Sequence, residues 1–206
     1  MTKRSQRVGI WIIAIVMGVG SLGLYFVAIL ANQNSTKDKA SLQQDYATYQ
    51  AAVTNQSDAL STKYFSTLNQ YVGEVAPFDA SSVTALATND LKDGDGETIT
   101  ASTTYSAYYI GWNPSGKVFD ESISSGKLKP PIPSSGLIEG WTKGMVGAKI
   151  GGVRELTIPS AQAYGATGSG AAIPPNTPIK FIVLAIPTPP AIPVPASLQQ
   201  AAATRQ

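Results

Sequence analysis

The stretch that decides the fold is AYGATGSGAAIPPNTPIKFIVLAI, residues 163–186. Its first half is rich in glycine and alanine, with an aromatic side chain at one end (Tyr164) and an apolar one near the other (Ile173). After two prolines it continues into an apolar run that has the composition of a strand. Long loops of this kind, set between strands, usually carry function. The stretch therefore predicts an ordered functional loop followed by a buried strand.

The composition of the whole chain excludes several classes of protein. The 206 residues include no cysteine and no histidine, and the net charge is only +2. Without cysteine there are no disulfides, thiolate nucleophiles or cysteine zinc sites, and without histidine the usual general base is missing. The small net charge, with no basic cluster beyond the N-terminus, argues against a nucleic-acid partner.

The N-terminus predicts a membrane anchor. Lys3, Arg4 and Arg7 precede residues 8–31, which contain no charged side chain. As a helix this segment would span about 36 Å, against about 30 Å of bilayer hydrocarbon. Basic residues on its N-terminal side predict a cytoplasmic start, residues 1–31 forming this start and a transmembrane helix. A cleaved secretory signal is the alternative, and either reading places the rest of the chain outside the cytoplasm.

Two polar segments flank the predicted compact domain. Residues 32–85 are expected to form a helical spacer and a linker, because apolar residues recur at helical spacing from Leu42 through Tyr46 and Tyr49. The spacer would hold the next domain off the membrane or pack on it, and a short coiled coil is the alternative. Residues 189–206, rich in proline, alanine and glutamine, are expected to be a disordered tail.

The compact domain is expected at residues 86–188. Strand-like patterns cover residues 97–112, 153–158 and 179–186, and residues 138–145 suggest one short amphipathic helix. Several strands with one helix predict an α+β domain, in which an antiparallel sheet wraps around that helix.

Four motifs in this order resemble the FKBP-type peptidyl-prolyl cis/trans isomerase domain over residues 90–186. They are YYIG at residues 108–111, VFDES at 118–122, LIEGW at 137–141 and the loop that begins at Tyr164. The resemblance implies an antiparallel half-barrel around one short helix, and a reaction that needs no cofactor. The implied catalytic residues are Tyr109, Asp120, Trp141 and Tyr164. The implied substrate-binding residues are Phe119, Leu137, Ile138, Ile173 and Phe181.

The resemblance also implies roles within that set. The Trp141 indole would form the floor of a prolyl pocket, and Asp120 would accept a polar contact at its edge. The Tyr164 hydroxyl and the Ile138 N–H would donate to substrate carbonyls, and Ile173 would close a flap over the pocket. The expected partners are X-Pro segments of unfolded or exported proteins, and macrolide immunosuppressant-type ligands.

Three functions follow as alternatives. The first is an active isomerase, anchored in the membrane through residues 8–31, that assists the folding of extracytoplasmic proteins. The second is a chaperone or docking module that recognises proline with little or no turnover. The third is a structural anchor protein that binds no prolyl peptide.

Overall fold

The structure, a computed structural model, describes residues 36–203. The predicted membrane span, residues 8–31, lies outside the described residues. Among the residues that are described, no helix is both long and apolar enough to cross a membrane.

The described chain contains three α-helices and eight strands. The helices are α1 (Thr36–Asn69), α2 (Glu139–Gly144) and α3 (Ala196–Ala203). The strands are β1 (Ala87–Lys92), β2 (Ser106–Trp112), β3 (Val118–Glu121), β4 (Ile123–Ser124), β5 (Lys127–Leu128), β6 (Ile132–Pro133), β7 (Val153–Ile158) and β8 (Ile179–Ile186). Short 3-10 turns occupy Val72–Glu74, Ala80–Ser82 and Ser160–Gln162.

The predicted antiparallel sheet with a helix against it is confirmed. Six strands form the main sheet in the order β1-β7-β8-β2-β3, with β6 pairing to β2, and every pairing is antiparallel. Strands β4 and β5 form a separate small hairpin. The central strand β8 pairs with the whole of β2, from Ile186 opposite Ser106 to Lys180 opposite Trp112. The glycine-rich loop therefore leads directly into the middle of the sheet.

The central strands β2 and β8 are buried on both faces of the sheet, because side chains that alternate along each strand enter two separate cores. On one face, Tyr109 of β2 and Phe181 of β8 pack with Trp141 of α2. On the opposite face, Tyr108 of β2 and Leu184 of β8 pack with residues of α1. This arrangement explains why β8 reads as a continuous apolar run rather than an alternating one.

Helix α1 covers the face of the sheet opposite α2 and is part of the folded domain. Leu68 is fully buried, and Leu60, Tyr64 and Phe65 pack on the same cluster. Polar contacts reinforce this docking: the backbone N–H of Leu128 donates to Ser61 Oγ at 2.8 Å.

One predicted strand is wrong in its extent. Residues 97–112 were expected to form a single strand, but β2 begins only at Ser106. In the segment before it, Thr100 N–H donates to Thr103 Oγ1 at 3.0 Å and Ser102 N–H to Thr100 Oγ1 at 3.3 Å. The β-branched shape of threonine favours strands. Here, however, the threonine hydroxyls accept hydrogen bonds from the local backbone, and the segment forms a turn. Strand β1 was not predicted, because five of its six side chains are exposed and only Leu91 is partly buried, so no alternating apolar pattern marks it.

The expectation of a disordered tail also differs from the structure. Residues 196–203 form helix α3, whose Leu198 and Ala201 are buried against Leu42 of α1. The proline segment before it runs back along α1, with Gln56 Nε2 donating to the carbonyl of Pro190 at 2.8 Å. Leu198 and Ala201 are three residues apart and therefore lie on the same face of α3, which packs on the apolar stripe of α1; the low-complexity composition did not indicate this.

Candidate active site

An aromatic cage lies on the α2 face of the sheet. The Trp141 indole is 2% exposed, and its ring centroid is 4.9 Å from Phe181 and 5.5 Å from Tyr109, both in edge-to-face geometry. Phe119 meets Phe181 edge-on at 5.5 Å. Edge-to-face contacts of this kind hold aromatic rings in fixed relative orientations. The cage is therefore a rigid apolar surface.

One carboxylate stands at the edge of the cage. The Tyr109 hydroxyl donates a short hydrogen bond to Asp120 Oδ2. The other carboxylate oxygen accepts from the backbone N–H of Glu121 at 2.9 Å, and Lys129 Nζ lies 3.8 Å from it. Asp120 is thus held by three neighbours, so that its position is defined before any ligand arrives.

The two tyrosines of the site stay protonated at neutral pH. Burial, then the hydrogen bond to Asp120 and its charge, raises the pKa of Tyr109. Burial, with the nearby charge of Asp120, raises the pKa of Tyr164 to about 12. Because the Tyr109 hydrogen is engaged by Asp120, the Tyr164 hydroxyl is the phenol available to donate to a ligand.

Tyr105 supports the floor of the cage and was missed by sequence reasoning. Its hydroxyl accepts from Trp141 Nε1 at 3.2 Å, and Tyr105 is itself 4% exposed. Burial raises the pKa of the Tyr105 phenol. No local motif marks this role, because the two residues are far apart in sequence. Tyr105 immediately precedes β2 and Trp141 lies on α2, so only the packing of α2 on the sheet brings them together.

Helix α2 is positioned from its C-terminal end by another residue that sequence reasoning missed. Arg154 on β7 donates to the carbonyls of Gly144 at 2.9 Å and Val146 at 3.0 Å. It also binds Asp90 of β1 through both carboxylate oxygens, at 2.6 and 2.8 Å. The bond from Arg154 lowers the pKa of Asp90. A cation at this end also complements the helix dipole.

At the other end of α2, Ile138 precedes the first helical turn. Its carbonyl accepts from the N–H groups of Trp141 and Thr142, each at 3.1 Å. Within the described part of the chain, its own N–H has no hydrogen-bond partner. That N–H can therefore serve an incoming acceptor.

The glycine-rich loop forms an ordered flap, defined here as residues 164–177. The N–H of Ser169 donates to the carbonyl of Ile173 at 2.7 Å, and that of Gly168 to Tyr164 at 3.1 Å. Gly168 has φ +69°, and a Cβ there would lie 2.4 Å from the Ile173 carbonyl oxygen. Ile173 itself is 4% exposed and belongs to the core cluster that contains the cage.

The structure brings eight of the nine predicted residues into one apolar cluster, with Asp120 bonded at its edge. The residues buried in the cluster or packed on it are Tyr109, Ile138, Trp141, Ile173, Phe181, Phe119, Leu137 and Tyr164.

Gly111, inside the YYIG motif, makes room for the cage, since a Cβ there would lie 2.5 Å from Phe181 and 2.8 Å from Phe119.

A different cleft, of about 290 Å³, lies between α1 and the turn at residues 92–96. It is lined by Lys63, Lys92, Asp95 and seven neighbours, and none of the nine predicted residues is among them. It contacts the opposite face of the sheet through Leu184 and is separate from the aromatic cage.

An antiparallel sheet with a short helix on one face, an aromatic cage and a glycine-rich flap defines a prolyl-isomerase type of domain. A family model described as FKBP-type peptidyl-prolyl cis-trans isomerase matches residues 95–185. The chain is 37% identical over 100 residues to an FK506-binding protein of Neisseria meningitidis serogroup A, which is 48% of this chain and 92% of that protein. This chain belongs to the FKBP-type peptidyl-prolyl cis-trans isomerase family.

Other relatives carry similar names. A probable FKBP-type peptidyl-prolyl cis-trans isomerase of Haemophilus influenzae is 39% identical over 90 residues, 44% of this chain and 37% of that protein. The crystal structure of a peptidyl-prolyl cis-trans isomerase from Pseudomonas syringae pv. tomato superposes with a TM-score of 0.43 at 29% identity, covering 57% of this chain and 87% of that one. The family assignment is based on the sequence matches.

Proposed function

We propose that this chain accelerates the rotation of X-Pro peptide bonds in proteins outside the cytoplasm, using the cage floored by Trp141. The observation that carries the proposal is the Tyr109–Asp120 hydrogen bond at the edge of a rigid aromatic surface. Family members bind proline-containing substrates and FK506-type ligands, and the same classes of ligand are proposed for this pocket.

The reaction requires neither a nucleophile nor a cofactor. Rotation about the X-Pro bond is slow because amide resonance must be broken, with a barrier of about 18–20 kcal/mol. The twisted transition state is less dipolar than the planar amide. An apolar cage therefore favours the transition state over the ground state, and each 1.36 kcal/mol of that difference is about tenfold in rate.

The polar groups would orient the peptide on this surface. In the proposed complex, the prolyl ring lies on Trp141 between Phe119 and Phe181, and Leu137 and Ile173 cover it. The Tyr164 hydroxyl and the Ile138 N–H donate to carbonyls that flank the proline. Asp120 accepts a polar contact at the edge, where the Tyr109 hydroxyl holds it in place.

We also propose that residues 8–31 anchor the chain in a membrane with the domain on the extracytoplasmic side. Helix α1 has 34 residues, which is about 51 Å of helix. The sheet docks near its C-terminal end through Leu68, and the cage lies on the face of the sheet away from α1. This geometry supports a stalk that presents the pocket to clients at a distance from the bilayer.

Asp120→Ala is expected to lower kcat/KM by roughly tenfold to one hundredfold, because a hydrogen bond to a charged group is lost at the pocket edge. Tyr164→Phe is expected to lower kcat/KM by about twofold to tenfold, because one neutral hydrogen bond to the substrate is lost. The measurement is a protease-coupled isomerisation assay on an X-Pro peptide with the full chain.

The matched controls are Asp93→Ala, at an exposed position, and Tyr71→Phe, on the α1 side of the sheet. Both should retain the rate of the unmodified chain. A background rate in the unmodified chain, combined with measurable peptide binding, would instead identify a docking module without turnover.

In the native host, the full chain is expected in the membrane fraction, with the domain open to protease added from outside the cytoplasmic membrane. Removing residues 1–31 should abolish that sedimentation. A secreted form that begins near residue 31 would indicate the cleaved signal, and recovery of the intact chain in the cytoplasmic fraction would contradict the proposed location.

A further inference from the structure

A side-chain hydrogen bond joins the flap to the hairpin between β2 and β3. Asn113 Nδ2 donates to the carbonyl of Ala172 at 2.9 Å. We propose that Asn113 is a positioning residue that latches the flap over the pocket and thereby sets how tightly prolyl ligands are held. The inference rests on the proposed prolyl pocket, and its test separates the two.

The Asn113 side chain is held in one orientation by its own hairpin. Its Oδ1 accepts from Ser115 N at 3.1 Å, Ser115 Oγ at 2.7 Å and Lys117 N at 3.2 Å. Three donors surround the oxygen and a carbonyl faces the nitrogen, so the assignment of the two amide atoms follows from their partners. The amide group is therefore aimed at the flap before the flap closes.

The hairpin is a fixed body against which the flap can be latched. The carbonyl of Pro114 accepts from Phe78 N–H at 3.0 Å, and Trp112 Nε1 donates to the carbonyl of Ala76 at 3.0 Å. These bonds tie the hairpin to the segment that follows α1. Movement between hairpin and flap is thus left mainly to the flap.

On the flap side, the latched carbonyl lies next to the residue that covers the pocket. Ala172 immediately precedes Ile173, whose carbonyl accepts from Ser169 N–H at 2.7 Å and closes a tight turn. The turn residues Gly170 and Ala171 are exposed and small, so they contribute little apolar packing. The bond from Asn113 therefore adds to the burial of Ile173 in the core cluster in holding this position of the flap.

The latch predicts an effect on ligand exchange rather than on bond rotation. Asn113 does not belong to the cage, and its loss leaves Trp141 and the Tyr109–Asp120 pair in place. Opening the flap more often would raise KM and speed ligand release, with kcat little changed.

The test is Asn113→Asp in the full chain. The two side chains have nearly the same shape, and the carboxylate still accepts from Ser115 and Lys117, so the hairpin is retained. The donor to Ala172 is lost, and a carboxylate oxygen faces that carbonyl instead. We expect hydrogen exchange at the Ser169 amide, KM for an X-Pro peptide and the dissociation rate of an FK506-type ligand each to rise roughly threefold to tenfold.

The control is Ser115→Ala, which removes one bond to Asn113 Oδ1 and leaves the donor to the flap in place; it should match the unmodified chain in all three measurements. Unchanged exchange and KM in Asn113→Asp would overturn the latch, and so would a fall in kcat at constant KM. If the unmodified chain neither turns over nor binds the ligand, the prolyl-pocket proposal fails, whereas the amide exchange still decides whether Asn113 holds the flap.

Discussion

Leu68→Asp is expected to remove at least about 4 kcal/mol from the free energy of unfolding, because it places an unpaired carboxylate in the core beneath α1. Leu68 is completely buried and packs in one cluster with Tyr108, Trp112 and Leu184. A domain of this size has about 5–15 kcal/mol of stability in total. The substitution therefore takes away a large part of that stability, and the aromatic cage on the other face of the sheet loses it as well, because a small domain unfolds as one cooperative unit.

The measurement is urea unfolding of the full chain, followed by tryptophan fluorescence and by circular dichroism. Leu42→Asp is the matched control, since Leu42 is also a buried leucine of α1 but packs on α3. It should release the C-terminal helix and leave the unfolding of the sheet nearly unchanged. Equal effects of the two substitutions, or a stable sheet in Leu68→Asp, would show that α1 is only a spacer.

The sheet is also expected to depend on α1 when it is produced as an isolated domain. Residues 86–188 cover the sheet and the flap, but without α1 they would expose the whole cluster that Leu68 covers. Several fully buried apolar side chains contribute about 1.5–3 kcal/mol each when buried. Assays of isomerisation are therefore better made on a chain that retains α1.

Gly168→Ala is expected to lower kcat/KM by roughly tenfold to one hundredfold, which is about 1.4–2.7 kcal/mol of transition-state stabilisation. Gly168 has φ +69°, and the added Cβ would lie 2.4 Å from the Ile173 carbonyl oxygen. That oxygen closes the flap turn with Ser169, so the clash cannot be relieved by turning a side chain. The flap must shift, and Ile173 moves with it.

Gly170→Ala separates this clash from ordinary backbone strain. Gly170 also has a positive φ, +63°, but a Cβ there meets no atom within 4 Å. Gly170→Ala should therefore destabilise the flap only by the strain of an alanine in the left-handed region, about 1 kcal/mol, and should have a small effect on kcat/KM. The comparison uses the isomerisation assay and amide exchange across the flap; equal losses in the two variants would contradict a specific role for the Ile173 turn.

The clustering of the predicted site residues could be anticipated from the family resemblance, because they lie in short motifs around one helix and one flap; their roles stay predictions. Trp141 and Ile138 are in the same motif, and Tyr109 and Gly111 share another. The supporting contacts were not predictable in this way. Tyr105, Arg154 and Asn113 act through partners distant in sequence, and neither residue type nor local spacing marks such pairs.

Local composition also mispredicts the start of strand β2 and the structure of the C-terminal segment. Threonine-rich residues 97–105 have the composition of a strand, yet their hydroxyls bond the local backbone. The alanine-rich tail resembles a disordered segment, yet Leu198 and Ala201 find a partner on α1. Local propensity is weak, and tertiary contacts decide such cases.

The sequence by itself determined the class of domain, the residues of the aromatic cage and the lack of histidine and cysteine chemistry, since these depend on which side chains are present and in what order. Only the tertiary structure decided that α1 is part of the core and that the C-terminal segment returns to it. The burial of the sheet face opposite α2 depends on which segment packs on it, and that segment is α1. A continuous apolar strand such as β8 indicates cover on both faces, but it does not say which segment provides it.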